Sequence, residues 1–124
     1  MIVAVDTSAV ARAFAGHRDP ATLLLRQTLS EGRARFAPIV VMELLSNPGL
    51  TAGTRRFVRM LPRLDFRDGV WERAGMLRAD IAALGLKANV PDCVIAQTAI
   101  DHGIPLITYD RDFRHFQRAG LQLL

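Results

Sequence analysis

Four carboxylates stand in this sequence where a carboxylate needs an explanation. Asp6 directly follows the apolar run Ile2 to Val5, and Glu43 lies inside the apolar stretch Ile39 to Leu45. Asp92 falls in the first turn of a helical pattern opened by Pro91, and Asp110 follows the apolar run that ends at Thr108. Brought together, such groups repel one another and partly protonate unless a cation lies among them. Only oxygen ligands are on offer, with no paired cysteines and no HExxH-type histidines, so Mg²⁺ or Mn²⁺ is expected rather than zinc. An ion held in this way activates water and neutralises charge developing on a phosphate. Taken singly, most of these acids have plainer roles. Asp6 and a fifth candidate, Asp112, could be helix caps, Asp110 a turn residue, and Asp92 a charge that complements a helix dipole. Glu43 is harder to dismiss, because a carboxylate in an apolar run must face a basic partner or a polar cleft.

Whether the acids meet depends on the elements that carry them. Ile2 to Val5 reads as a strand, and Asp6-Thr7-Ser8 as a cap for a helix starting near Ala9. Asp19-Pro20 starts a second helix that runs to about Glu31 and ends at Gly32. Arg35 to Pro38 predicts a second strand, followed by the Ile39 to Leu45 segment and the stop Asn47-Pro48-Gly49. Thr51 opens a helix with Phe57, Val58 and Leu61 on one side and Arg55, Arg56, Arg59 and Arg63 on the other, disrupted at Pro62. The arginine side is ordinarily a solvated face, although it could rim a nucleic-acid groove. Leu64 to Phe66 reads as a very short third strand. Asp68 is the expected cap of a longer helix carrying Trp71, Ala74, Leu77, Ile81 and Leu84, and Gly85 ends it. Leu86 to Val90 is loop, Pro91 opens a helix stopped by Gly103, and Pro105 to Thr108 is a fourth strand. A helical turn near Phe113 to Phe116 and a last strand at Leu121 to Leu124 complete the chain.

Strands that alternate with helices and are themselves almost wholly apolar predict an α/β domain: a three-layer α/β/α sandwich with a central parallel sheet of about five strands. In that architecture Asp6 and Asp110 lie at the carboxyl edge of the sheet, and Glu43 sits about one turn into a helix that leaves the same edge. The Asp92 helix feeds the strand at Pro105 from the amino edge, so its own start is at the carboxyl edge too. Acids separated by 37, 49 and 18 residues thus come to the side where open α/β sheets keep their ligands.

The composition sets outer bounds. A chain of 124 residues, half of them apolar, suits a single domain spanning 1–124 with a packed core. No apolar run approaches the roughly 20 residues that cross a bilayer, and Met1 leads into a strand rather than a basic leader, so the cytoplasm is the expected compartment and no membrane partner is expected. One cysteine, Cys93, makes no internal disulfide and reads as a small core residue. The formal charge of +4 comes almost entirely from arginine, with Lys87 the lone lysine. This permits a polyanionic partner without specifying one. His17, His102 and His115 take structural readings, and Trp71 fits the core or an oligomer interface.

The segments VAVDTSAV, APIVVMELL and VPDCVIAQTAIDHGIPLITYDRDF, holding Asp6, Glu43, Asp92, Asp110 and Asp112, together resemble the PIN-domain family, specifically the VapC-type toxins of bacterial toxin–antitoxin pairs. The resemblance runs from Met1 to about Phe116 and departs from the family's pattern where Pro48 interrupts the stretch after Glu43. It implies an endoribonuclease in which Asp6, Glu43, Asp92 and Asp110 hold one or two Mg²⁺ or Mn²⁺ ions, with Ser8 and Thr108 assisting. It also implies an RNA substrate, a cognate antitoxin protein as partner, and a homodimer. Two rivals remain at this point. A haloacid-dehalogenase-like phosphohydrolase also begins with an acid after its first strand, but it requires a second Asp two residues on, where this chain has Ser8. A non-catalytic PIN-like binding module would have no need of all four acids.

Overall fold

The computed structural model describes all residues from Met1 to Leu124. Three strands, β1 (Val3–Val5), β2 (Ala34–Arg35) and β3 (Leu106–Ile107), form a parallel sheet in the order β2-β1-β3. Val3 pairs with Ala34 on one side of β1, and Val5 pairs with Ile107 on the other. All three residues of β1 are buried. Successive side chains of a strand point to opposite faces, so both faces of the sheet are covered, as a parallel sheet requires.

The covering helices are α1 (Thr7–Phe14), α2 (Pro20–Ser30), α3 (Pro38–Leu45), α4 (Ala52–Arg59), α5 (Val70–Ala83) and α6 (Val90–His102), with a 3₁₀ helix, η1 (Arg111–Ala119), near the end. Their starts follow local chemistry. Asp6, Asp19, Thr51, Asn89 and Asp110 each cap a helix by accepting a backbone N–H with the side chain, and proline opens α2, α3 and α6. Helices α1 and α2 pack together, as do α5 and α6, while α3 touches both α1 and α6 and so joins the two groups. Phe36, Phe113 and Phe116 are completely buried at the centre of one continuous core.

The sheet is shorter than the expected five strands. Its ladder has three. One further parallel bridge, Phe36 to Arg63, falls one residue before the expected third strand, Leu64 to Phe66, which forms no strand, while the segment expected as the fifth strand contributes the other, Leu106 to Leu123. Five segments therefore lie abreast, but the outer two leave the ladder after a single pair. Pro62 helps explain the first of these, since it has no N–H to extend pairing, and its carbonyl accepts from Phe36.

Three local expectations are also corrected. The cap of α5 is Gly69, at φ 82°, and not Asp68. A side chain at Gly69 would be strained by that left-handed backbone and would stand 2.7 Å from Arg73 Nη1. Of the two roles expected for Trp71, its 60% exposure overturns the core and leaves the oligomer interface, and its ring lies edge-on to Phe66 at 5.1 Å. The buried stripe of α5 is Val70, Ala74, Leu77 and Ile81, one position away from Trp71, and Leu84 at its end is exposed. The expected turn at Phe113 to Phe116 is a nine-residue 3₁₀ helix.

Candidate metal-binding site

The site begins where β1 ends. Asp6 is 3% exposed, and its Oδ1 accepts from Ser8 N at 2.6 Å, Ala9 N at 3.2 Å and Ser8 Oγ at 2.8 Å. Its Oδ2 accepts from Thr108 Oγ1 at 2.5 Å. A carboxylate has about four lone-pair positions, so Oδ1 is saturated by the start of its own helix while Oδ2 keeps room for another partner. Burial raises the Asp6 carboxyl above its ordinary range, and the bonds from Thr108, Ser8 and Ala9 pull the other way.

Two hydroxyls lock this acid to the end of β3. Ser8 Oγ gives its one proton to Asp6 and accepts from Tyr109 N at 3.0 Å. Thr108 Oγ1 likewise donates to Asp6 and accepts from Asp110 N at 3.0 Å. With both protons committed, the 3.4 Å approach of the two hydroxyls is a packing contact. The network continues to Asp110, whose Oδ1 caps η1 by accepting from Asp112 N at 2.9 Å. Ser8 and Thr108, singled out in the sequence as supporting residues, thus bind Asp6 directly.

Glu43 is half-buried, and its Oε1 accepts from Thr7 Oγ1 at 2.7 Å. Sequence reading missed Thr7, although it lies between two residues already singled out, because only the packing of α1 on α3 makes the contact. Glu43 Oε2 and Asp110 Oδ2 have no hydrogen-bond partner in the protein.

Asp92 lies in the first turn of α6, behind the Asn89 cap. Desolvation raises its pKa to about 6, the charges of Asp110, Asp6 and Glu43 push in the same direction, and Asn89 weakly opposes them. The structure therefore brings Asp6, Glu43 and Asp110 within range of the charge on Asp92. Asp112 is not among the groups acting on Asp92, and its backbone, rather than its carboxylate, meets Asp110.

None of the four acids has a salt bridge. The ion-paired acids are Asp19, Glu31, Asp65 and Asp101, all outside the cluster. Nor do three acidic, histidine or cysteine groups close into a ready-made cage anywhere in the chain. What the site offers is an all-oxygen donor set with unshared carboxylate oxygens and no internal cation, a set that fits a hard divalent ion. The histidines stay out of it. His102 and His115 bond the backbone carbonyls of Asp65 and Lys87, and His17 lies beside Arg12.

Comparison with known proteins identifies the family. The model of the PIN domain matches residues 3–119. The chain belongs to the PIN-domain family. Ribonuclease VapC11 of Mycobacterium tuberculosis is 34% identical over 119 residues, covering 90% of this chain and 89% of that one. The VapC ribonuclease Mb1587 of Mycobacterium bovis matches to the same extent. Among solved structures, VapBC2 from Rickettsia felis, bound to a promoter DNA fragment, superposes with a TM-score of 0.76 at 24% identity, covering 100% of this chain and 98% of that chain. FitAcB from Neisseria gonorrhoeae gives 0.71 at 18% identity over 99% and 96% of the two chains. These likenesses show a PIN fold along the full length. Within it, the short sheet has one main task at the site: β1 and β3 are adjacent, so Asp6 and the Thr108–Asp110 segment leave it side by side.

Proposed function

We propose that this PIN domain is a metal-dependent endoribonuclease, the toxin of a toxin–antitoxin pair, which hydrolyses RNA phosphodiester bonds. One observation carries the reading. In a chain 34% identical to VapC ribonucleases, Asp6, Glu43 and Asp110 all lie within electrostatic reach of Asp92, and none of the four is in a salt bridge. Residues 1–124 act as one domain. The haloacid-dehalogenase alternative has no support in the site, because Ser8 occupies the place of its second acid and is spent on Asp6.

Asp6 and Asp92 would be the direct ligands of such an ion, Asp110 would ligate a second and weaker one, and Glu43 would be a ligand or orient water. When bound, Mg²⁺ or Mn²⁺ supplies an activated water and neutralises charge on the scissile phosphate. The residues of the chain do the rest. Ser8 and Thr108 hold Asp6 in one orientation, Thr7 holds Glu43, and the Asp110 cap fixes the start of η1. A histidine base is unnecessary, and none lies in the cluster.

Attack by water leaves a 5′-phosphate and a 3′-hydroxyl. RNA incubated with the protein and Mg²⁺ should give those ends, and EDTA should stop the reaction. Ends carrying 2′,3′-cyclic phosphate, with activity that survives EDTA, would overturn the mechanism. The chain is further proposed to form a homodimer neutralised by a small antitoxin that covers the cleft. Co-expression with the product of an adjacent short reading frame should raise yield and suppress cleavage.

A further inference from the structure

A cleft of about 420 Å³ opens beside Asp110, lined by Arg111, Arg114 and Gln117 on one side and by Leu123 and Leu124 on another. The lining follows from the kind of helix η1 is. A 3₁₀ helix has three residues per turn, so positions i, i+3 and i+6 fall in a straight row. One row of η1 is Phe113 and Phe116, both wholly buried. A second is Arg111, Arg114 and Gln117, all on the cleft. An α-helix, at 3.6 residues per turn, would carry the third of these residues round by about 120°, and the row would not face a single cleft.

The two guanidinium groups are free. Arg12, Arg33, Arg67 and Arg73 are in ion pairs, and Arg26, Arg35, Arg63 and Arg78 bond backbone carbonyls. Arg111 and Arg114 are exposed and have neither kind of partner, and the Gln117 side chain is equally unused. Successive rungs of such a row are about 6 Å apart, comparable to the spacing of neighbouring phosphates along a strand. Arginine forks suit phosphate oxygens, and the apolar floor of Leu123 and Leu124 suits the sugar and base between them.

We propose that this cleft is the subsite for the RNA strand immediately flanking the scissile phosphodiester, with Arg111 and Arg114 each engaging a backbone phosphate. This rests on the ribonuclease reading above, and it explains how a polyanion approaches a cluster of four acids. The arginine row anchors the strand next to Asp110, so the phosphate at the acids need not supply the binding energy. Phosphate contacts of this kind position the strand and do not select its sequence.

The test is equilibrium binding of a fluorescein-labelled single-stranded oligoribonucleotide, followed by anisotropy in Mg²⁺. The protein carries Asp92→Asn so that RNA stays intact. Adding Arg111→Gln and Arg114→Gln should weaken binding about tenfold or more. It should also reduce the slope of log K against log salt by about 1.4, since each single-strand phosphate contact contributes about 0.7. The charge-matched control, Arg18→Gln with Arg118→Gln, removes two exposed arginines that lie off the row and should leave the slope nearly unchanged. Equal losses in both double variants, or no loss in the first, would overturn the subsite, as would failure of the parent to bind RNA. An unmodified chain that binds RNA through the row but never cuts it would keep the row as an RNA-phosphate contact and overturn the nuclease reading, and with it the row's place beside a scissile bond.

Discussion

Helix α6 carries a half-buried acid at each end, and the two are treated in opposite ways. At the C-terminal end, Asp101 receives a two-point contact from Arg73, Nε to Oδ1 at 3.1 Å and Nη2 to Oδ2 at 2.5 Å, and a third bond from Gln97 at 2.9 Å. Burial pushes its carboxyl up, but the bonds from Arg73 and Gln97 and the charges of Arg73 and His102 outweigh that, so its pKa ends below the ordinary value. At the N-terminal end, Asp92 has desolvation and three neighbouring acids against it and reaches about 6. The fold thus supplies a cation where an acid serves structure and none where four acids gather. The four acids left there without a salt bridge are the ones proposed above to hold a cation from outside the chain.

The largest test of that contrast is catalytic. Asp92→Asn should reduce RNA cleavage to background, whereas Asp101→Asn, at the other end of the same helix, should leave kcat close to that of the parent at temperatures where both are folded. Cleavage assays on the pair decide it, and an active Asp92→Asn protein would show that the cluster is not the reaction centre.

Next in size is Arg73→Ala, which leaves Asp101, only 10% exposed at its side chain, without its cation. Arg73 is itself 41% exposed, so solvent screening tempers the loss, but the variant should still unfold at lower urea concentration than the parent, and an unchanged midpoint would show that the pair does not hold this end of the helix.

Asp92→Asn should move stability in the other direction. Removing one of four mutually repelling charges should raise metal-free stability by about 1–2 kcal/mol. Millimolar Mg²⁺ should raise the melting temperature of the parent, because only the folded state gathers the ligands, and do little for the variant. A parent whose melting point ignores Mg²⁺ would break the comparison.

The smallest effect is in pH, and its sign differs between the two ends. The folded pKa of Asp92, about 6, lies above its ordinary 3.8, so the folded state binds the proton more tightly. Its contribution to stability therefore grows as pH falls through 6 and is complete below 3.8. Asp101 is lowered, so its contribution is present above 3.8 and is lost as pH falls through its folded value. In EDTA the parent should gain stability from about pH 7 to pH 4.5 and lose it in stronger acid. Asp92→Asn should flatten the first limb and leave the second.

Much of this was legible along the chain because capping and helical periodicity are local. Asp6 after a strand and before a helix, Asp19-Pro20, Thr51 and the Gly103 stop all read correctly, since each depends on backbone groups within a turn of itself. The topology that collects Asp6, Glu43, Asp92 and Asp110 followed from strand and helix order alone. What the residues could not say for themselves was how far each strand pairs, because that depends on where neighbouring segments depart. Arg63 and Leu123 each make one bridge and no more. The 3₁₀ winding of η1, which places Arg111, Arg114 and Gln117 in one row, was equally hidden, since Phe113 and Phe116 are compatible with either kind of helix.

Residue types and their order therefore determined the family and the edge of the sheet near which the four candidate acids lie. Only the tertiary structure decided which of those acids are left without a cation and which oxygens remain unshared. Those outcomes turn on contacts such as Thr108 with Asp6, 102 residues apart, and Thr7 with Glu43, 36 apart. Charge and hydrogen bonding act over a few ångströms of space, and only the packed core sets those distances.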